Sequence, residues 1–153
     1  MNTHDIITLT VNPALDKSTH FKGLVAEQKI RCSEPRFDAG GGGINVSKAI
    51  SRLGGSSLAV FTSGGPSGKM LEELVSKESI PFRAIPVHTW TRESFVAVDE
   101  NTNSQYRFGF TGGEITDDEE QAFLNTVKDV KAKFIVASGS LSEGLTSDFY
   151  QKV

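Results

Sequence analysis

The sequence predicts an α/β fold: a parallel sheet with helices on both faces, plus a small antiparallel sheet standing off it. Three observations predict it. Short apolar, β-branched runs alternate with segments of helical period, the mark of strands joined by crossover helices. Two stretches, about 17–35 and 89–110, interrupt that alternation with short β-like runs. A run of four glycines at 40–43 opens directly into a helical segment.

Ile6 to Val11 is apolar and β-branched and stops at Asn12-Pro13, so it reads as a buried strand and a turn. Beyond the glycines, Val46, Ala49, Ile50 and Leu53 recur at helical spacing, and Gly54-Gly55 supplies a stop. Leu58 to Thr62 is a second strand. Ser67 is the expected cap of a helix whose apolar face is Met70, Leu71, Leu74 and Val75. Pro81 ends that helix, and Phe82 to Val87 is a third strand.

In the interrupting stretches, Thr19–Phe21 and Lys29–Cys32 are β-like. Phe95–Val98 and Gln105–Phe110 flank a turn-rich hexapeptide and form a hairpin. Thr116 with Glu119 is a capping-box pattern, followed by an inner stripe of Phe123, Val127 and Val130. Phe134 to Ala137 is another buried strand, and Thr146 or Ser147 starts a last helix. That helix has barely two turns before Val153, so the chain reads as cut. The expected organisation is one domain, with core segments 1–16, 36–88 and 111–153 and a β lid at about 17–35 and 89–110.

Composition narrows the function classes. The chain has 153 residues, of which 37% are hydrophobic and 23% charged, as in an ordinary globular domain. A net charge of -3 provides no basic field for nucleic acid. No apolar run approaches the ~20 residues of a membrane span, and the N-terminus lacks the pattern of a secretory signal. Cys32 is the single cysteine, which excludes an internal disulfide. These features fit a cytoplasmic protein with neither nucleic acid nor membrane as partner.

Several residues carry chemical interest. The glycines before Ile44-Asn45-Val46 let backbone approach a ligand closely, and Asn45 in the first helical turn can donate and accept toward hydroxyls. The alternative is a flexible loop; a dinucleotide fingerprint fails because Asn45 and Val46 stand where a third small residue is needed. Gly64-Gly65-Pro66-Ser67-Gly68-Lys69 imitates a phosphate-binding P-loop. It has Ser63 where the first glycine belongs and Met70 where the metal-binding hydroxyl belongs, so it reads as a strand-to-helix turn.

Asp16 lies just past the carboxyl end of the first strand, the ligand-binding edge of open parallel sheets. A carboxylate there can accept from two vicinal hydroxyls; alone, it reads equally as a turn residue. Arg92 and Arg107 lie on the expected accessory strands, and a guanidinium fork suits a phosphate dianion. Lys29 and Arg31 are further candidates, and solvated strand faces are the alternative for all of them. His4, His20 and His88 show no metal-ligand spacing.

Taken in order, Leu9-Thr10, Asn12 to Asp16, Gly40 to Val46, Leu53-Gly54-Gly55, Trp90-Thr91-Arg92, Gln105 to Phe108 and Ser138 to Leu141 resemble the PfkB family of ribokinase-like carbohydrate kinases. The resemblance implies a ribokinase-like core and a β lid that also forms a homodimer interface. It implies that Asp16, Gly41 and Asn45 hold sugar hydroxyls. It gives Lys29, Arg92 and Arg107 to the substrate phosphate, and places Ser140 in the same pocket.

Gly40 to Gly43, Lys29 to Cys32 and Trp90 to Arg92 are most similar to the family's minor 6-phosphofructokinase branch, which implies fructose 6-phosphate as acceptor and fructose 1,6-bisphosphate as product. Asn12-Pro13-Ala14 leans toward the branches acting on fructose 1-phosphate or tagatose 6-phosphate. ATP and Mg2+ are implied for a full-length parent. The family's catalytic aspartate lies in a Gly-Ala-Gly-Asp segment for which this sequence has no counterpart, so no catalytic residue, nucleotide site or metal ligand is expected within 1–153. A non-catalytic sugar-phosphate-binding or dimerisation module is the reading if the gene ends at Val153.

Overall fold

The computed structural model describes residues 4–153; the first three residues of the expected core segment 1–16 lie outside the described residues. Four strands form the parallel core sheet: β1 (Ile6–Thr10), β4 (Ser57–Ser63), β5 (Phe82–Pro86) and β8 (Phe134–Ala137), in the order β5-β4-β1-β8. The β4 side chains divide by pleat. Leu58 and Val60 join Ile7, Leu9 and Val11 against Phe123, Leu124 and Val127 of α3 (Asp117–Lys128). Ala59 and Phe61 join Ile44 of α1 (Gly42–Arg52) and Leu71 and Val75 of α2 (Gly65–Lys77). Helices therefore cover both faces. Burying each large side chain contributes about 1.5–3 kcal/mol.

The second sheet contains β2 (Ala14–Phe21), β3 (Arg36–Gly40), β6 (Arg92–Asp99) and β7 (Ser104–Gly109), ordered β3-β2-β6-β7. It is mixed, where the sequence predicts antiparallel pairing. β2 pairs antiparallel with β3, and β6 with β7, but the central pair β2 and β6 is parallel. The reason lies in the core. β2 continues from β1 and β6 follows β5, two strands of one parallel sheet, so both leave its carboxyl edge in the same sense.

Other expectations change in detail. Lys29–Cys32 forms no strand, only a bridge from Cys32 to Phe21 at the end of β2 that β3 leaves unpaired, since β3 pairs with Ala14 to Ser18 alone. Segment 36–40, expected in the core, pairs in the second sheet, while Ala39 at its end packs beside Ile44. Ser67 does not cap α2. Gly64 occupies that position, and Ser67 Oγ donates to the Thr91 carbonyl at 2.7 Å. α2 starts at Gly65, directly after β4, so the segment is a strand-to-helix turn.

The buried face of α1 is Gly43, Ile44, Ser47 and Lys48, whereas Ala49 and Leu53 are exposed. Partners make polar burial tolerable there. Ser47 Oγ lies 2.8 Å from both Thr8 Oγ1 and Ser57 Oγ. At α3 the capping box forms as predicted: Thr116 Oγ1 accepts from Glu119 N–H, and Glu119 accepts from Thr116 N–H. The last helix is a single 3-10 turn, Phe149–Gln151, whose Phe149 is fully buried against Phe123. β8 pairs with β1 alone among the described strands, leaving Phe134 64% exposed where a buried strand is predicted.

Candidate functional site

Asn12 lies where β1 leaves the core sheet. Above it, the carbonyl of Val11 accepts from Thr62 Oγ1 at 3.0 Å and Ser142 Oγ at 2.8 Å, fixing the strand end. Asn12 Nδ2 then donates to Ser140 Oγ at 3.1 Å and to the Leu141 carbonyl at 3.2 Å, while its carbonyl accepts from Arg92 Nε at 3.4 Å. Asn12 thus joins two of the predicted site residues, Arg92 and Ser140. Sequence reasoning reads Asn12 as a turn residue and as part of the family pattern, not as a site residue. A signal was available in its position at a carboxyl strand end.

These groups line a cavity of about 400 Å3 with Phe110, Gly112 and Glu143, within the size range of small-molecule sites. Arg92 Nη1 makes one other protein contact, a long one of 3.5 Å to the Phe110 carbonyl. Among the described residues neither Arg92 nor Arg107 forms an ion pair. A guanidinium carries five N–H donors, so most of the capacity of Arg92 faces away from protein partners.

Strand register places the remaining residues. Asp16 is level with Ser94 on β6 and Asp38 on β3, and Arg107 is level with Val96, one pleat repeat further along the same face. Asp16, Arg92 and Arg107 therefore share one face of the second sheet. The opposite face carries Phe37, Phe95, Tyr106 and Phe108.

The glycine turn closes against the Asp16 face. A Cβ on Gly40 would overlap the Asp16 carboxylate, so only glycine permits that approach. Gly41 has φ 131°, a conformation that favours glycine, and precedes α1 as its N-cap. Gly43 N–H donates to the Ser138 carbonyl and Ile44 N–H to Thr10 Oγ1, each at 3.1 Å, which anchors the helix start to β1 and to the segment after β8. Asn45 is exposed in the first turn of α1.

Lys29 is not brought to this group. It lies in the loop after Phe21, five residues beyond Asp16 along β2, about 17 Å at strand rise. It lines a larger open depression of about 560 Å3 with Lys22, Arg31 and Cys32. That depression is formed almost wholly by one loop and includes none of the core strand ends. Of the expected site residues only Arg92 and Ser140 line the smaller cavity; Asp16, Gly41, Asn45 and Arg107 line neither.

Burial pushes the Asp16 carboxyl above the ordinary aspartate range. Arg92 opposes that shift, Asp38 adds to it, and Lys48 and Arg107 also oppose it. For an acid with a raised folded pKa, the contribution to stability is present below the unfolded value and is lost as pH rises through the folded value. The ionised carboxylate is thus held at a cost to the fold. Asp16→Asn is expected to raise Tm at neutral pH, checked by thermal melts. A lowered Tm would show that the carboxylate stabilises the turn.

Among the described residues no three His, Cys, Asp or Glu side chains converge in a way that could hold a metal ion, and no helix is long and apolar enough to cross a membrane.

The sequence pattern of the pfkB family of carbohydrate kinases matches residues 7–153. This chain belongs to the pfkB family. Similar pfkB relatives include the ATP-dependent 6-phosphofructokinase isozyme 2 of Mycobacterium tuberculosis, 45% identical over 150 residues and aligned with 97% of this chain and 44% of its own length. The isozyme 2 of Escherichia coli is 38% identical over 141 residues, covering 92% and 46%. The crystal structure of Escherichia coli phosphofructokinase-2 in complex with fructose-6-phosphate superimposes with a TM-score of 0.91 at 36% identity, covering 98% of this chain and 50% of that one. The chain spans about half the length of the curated relatives it matches. The expected core with helices on both faces and an accessory sheet is the architecture of this neighbour.

Proposed function

We propose that this chain forms the sugar-phosphate-binding part of an ATP-dependent 6-phosphofructokinase, which converts fructose 6-phosphate to fructose 1,6-bisphosphate. The observation that carries the reading is the pairing, on one sheet face, of a half-buried carboxylate with two guanidiniums that form no ion pair. Asp16 accepts from vicinal sugar hydroxyls, and Gly41 and Asn45 close over the sugar from the start of α1. Arg92 and Arg107 take the phosphate, and Ser140 lines the pocket beside Asn12. Lys29 belongs to this reading only through the family resemblance, since nothing in the fold of one chain brings it near.

ATP is the phosphoryl donor in this reading, as for the isozyme 2 relatives. Phosphoryl transfer is chiefly a matter of positioning and charge stabilisation. The residues described here orient the acceptor, and none is assigned as the base. The test is to supply the full-length gene product with Mg-ATP and either fructose 6-phosphate, fructose 1-phosphate or tagatose 6-phosphate. Fructose 1,6-bisphosphate formed fastest from fructose 6-phosphate supports the reading. Preference for fructose 1-phosphate or tagatose 6-phosphate would move the chain to the branch that Asn12-Pro13-Ala14 resembles.

The aromatic face of the second sheet supports a homodimer. Phe95 and Phe108 stack at 6.0 Å between centroids, yet Phe108 remains 51% exposed. Phe21 is already buried against Tyr106, so Phe37, Phe95, Tyr106 and Phe108 are what the face offers a second copy. Two such faces related by a two-fold axis would cover each other. Phe108→Asp is expected to give monomer in sedimentation and weaker fructose 6-phosphate binding together. A wild-type monomer at micromolar concentration would contradict the proposal.

A further inference from the structure

Lys48 is nine-tenths buried on the inner face of α1, an unusual place for an ammonium group. Its Nζ donates to the Ala39 carbonyl at 2.8 Å and pairs with Glu78 Oε1 at 2.9 Å. Glu78 is the residue after the last turn of α2, and Arg52 approaches its other oxygen at 3.9 Å. One buried charge therefore ties α1, α2 and the end of β3 together. Desolvating an ion pair costs several kcal/mol, so such a pair is weak support for stability alone.

The location of its acceptor is informative. Ala39 is level with Leu15, next to the pair formed by Asp16 and Asp38, and is followed by Gly40, whose bare Cα lies against the Asp16 carboxylate. Fixing the Ala39 carbonyl fixes the peptide on which the glycine turn begins. The same ammonium also acts electrostatically on Asp16. The charged groups around Asp16 are Asp38 of β3 with its partner Arg36, Arg92 of β6, Arg107 of β7 and Lys48 of α1. Of these, Lys48 alone is a buried cation hydrogen-bonded to the turn, whereas the two arginines are positioned to be occupied by a phosphate.

We propose that Lys48 is a positioning residue for the sugar site: it holds the β3-to-α1 glycine turn against Asp16 and keeps a fixed positive charge behind that carboxylate. The proposal rests on the reading of Asp16 as a sugar ligand. Removing the cation lets the Asp16 carboxyl take up a proton at higher pH, so binding that needs the carboxylate fails sooner on acidification.

The experiment measures KM for fructose 6-phosphate and for ATP across pH in the full-length gene product, for wild type, Lys48→Met, Lys48→Arg, Glu78→Gln and Asp16→Asn. Lys48→Met is expected to raise the sugar-phosphate KM about tenfold, the size of one lost hydrogen bond to a charged group. ATP KM should not change, and the acid limb of sugar affinity should move to higher pH. Lys48→Arg should restore the limb and most of the affinity. Glu78→Gln leaves the ammonium on Ala39 and removes its counter-charge, so its limb should move to lower pH; this arm stands if Lys48→Met does not fold.

Unmoved acid limbs in Lys48→Met and Glu78→Gln would overturn the proposal, as would equal losses for sugar and ATP. Asp16→Asn separates the two readings. If it keeps wild-type sugar affinity, the site assignment itself fails. If it loses affinity while the Lys48 and Glu78 variants keep the wild-type pH profile, only the role of Lys48 fails.

Discussion

Arg92→Ala is expected to raise the KM for fructose 6-phosphate by about one to two decades while leaving the KM for ATP unchanged. Its guanidinium stands at the cavity between Asn12, Phe110 and Ser140, with only two long carbonyl contacts of its own. Those contacts orient the fork without occupying it. Losing hydrogen bonds to a charged group costs roughly 1.5–3 kcal/mol, which gives the stated range. Arg92→Lys should recover only part, because a point charge cannot donate two parallel bonds to phosphate. Steady-state kinetics with each substrate varied in turn checks this. An unchanged sugar-phosphate KM would remove Arg92 from the site.

Gly43→Ala is expected to cost about 1–3 kcal/mol or more of stability, as overpacking does in a filled interior. A methyl there would meet the Leu9 carbonyl and sit 2.6 Å from Thr10 Oγ1. The Leu9 carbonyl belongs to β1 in the middle of the sheet, and Thr10 Oγ1 already accepts from Ile44 N–H. Neither can retreat without breaking the strand or the start of α1. Each kcal/mol lowers Tm by roughly 2–4 °C in a chain of this size. Gly109→Ala is the matched control, since its Cβ would meet nothing within 4 Å. Thermal melts of the two variants make the comparison, and equal Tm values would show that the turn yields more readily than the packing implies.

Much of this architecture was legible because its signals are local. The apolar run from Ile6, the Thr116–Glu119 capping box and the period-two hairpin containing Tyr106 and Phe108 each declare their structure within a dozen residues. What escaped depends on distant partners. Burial of Ser47 and Lys48 depends on Thr8, Ser57, Ala39 and Glu78, so the helical spacing of α1's apolar residues does not reveal its buried face. Parallel pairing of β2 with β6 joins segments almost eighty residues apart, and no local pattern encodes its sense.

The site divides the same way. Asp16 and the glycine turn were readable from the strand end and the glycine run, and the register sets Arg107 on the same face as Asp16. Asn12 was missed because its hydrogen bonds to Ser140 and Leu141 cross 128 and 129 residues. Lys29 shows the reverse case. Its chemistry suits phosphate, but the loop that bears it leaves β2 at the far end from Asp16.

The most direct test of the central claim is a crystal structure of the full-length gene product with fructose 6-phosphate bound. The account predicts sugar hydroxyls on Asp16 and Asn45 under the glycine turn, with the phosphate on Arg92 and Arg107. A sugar phosphate seated instead at the start of α2, on Gly64 to Lys69, with Asp16 and Arg92 free of ligand, would contradict it.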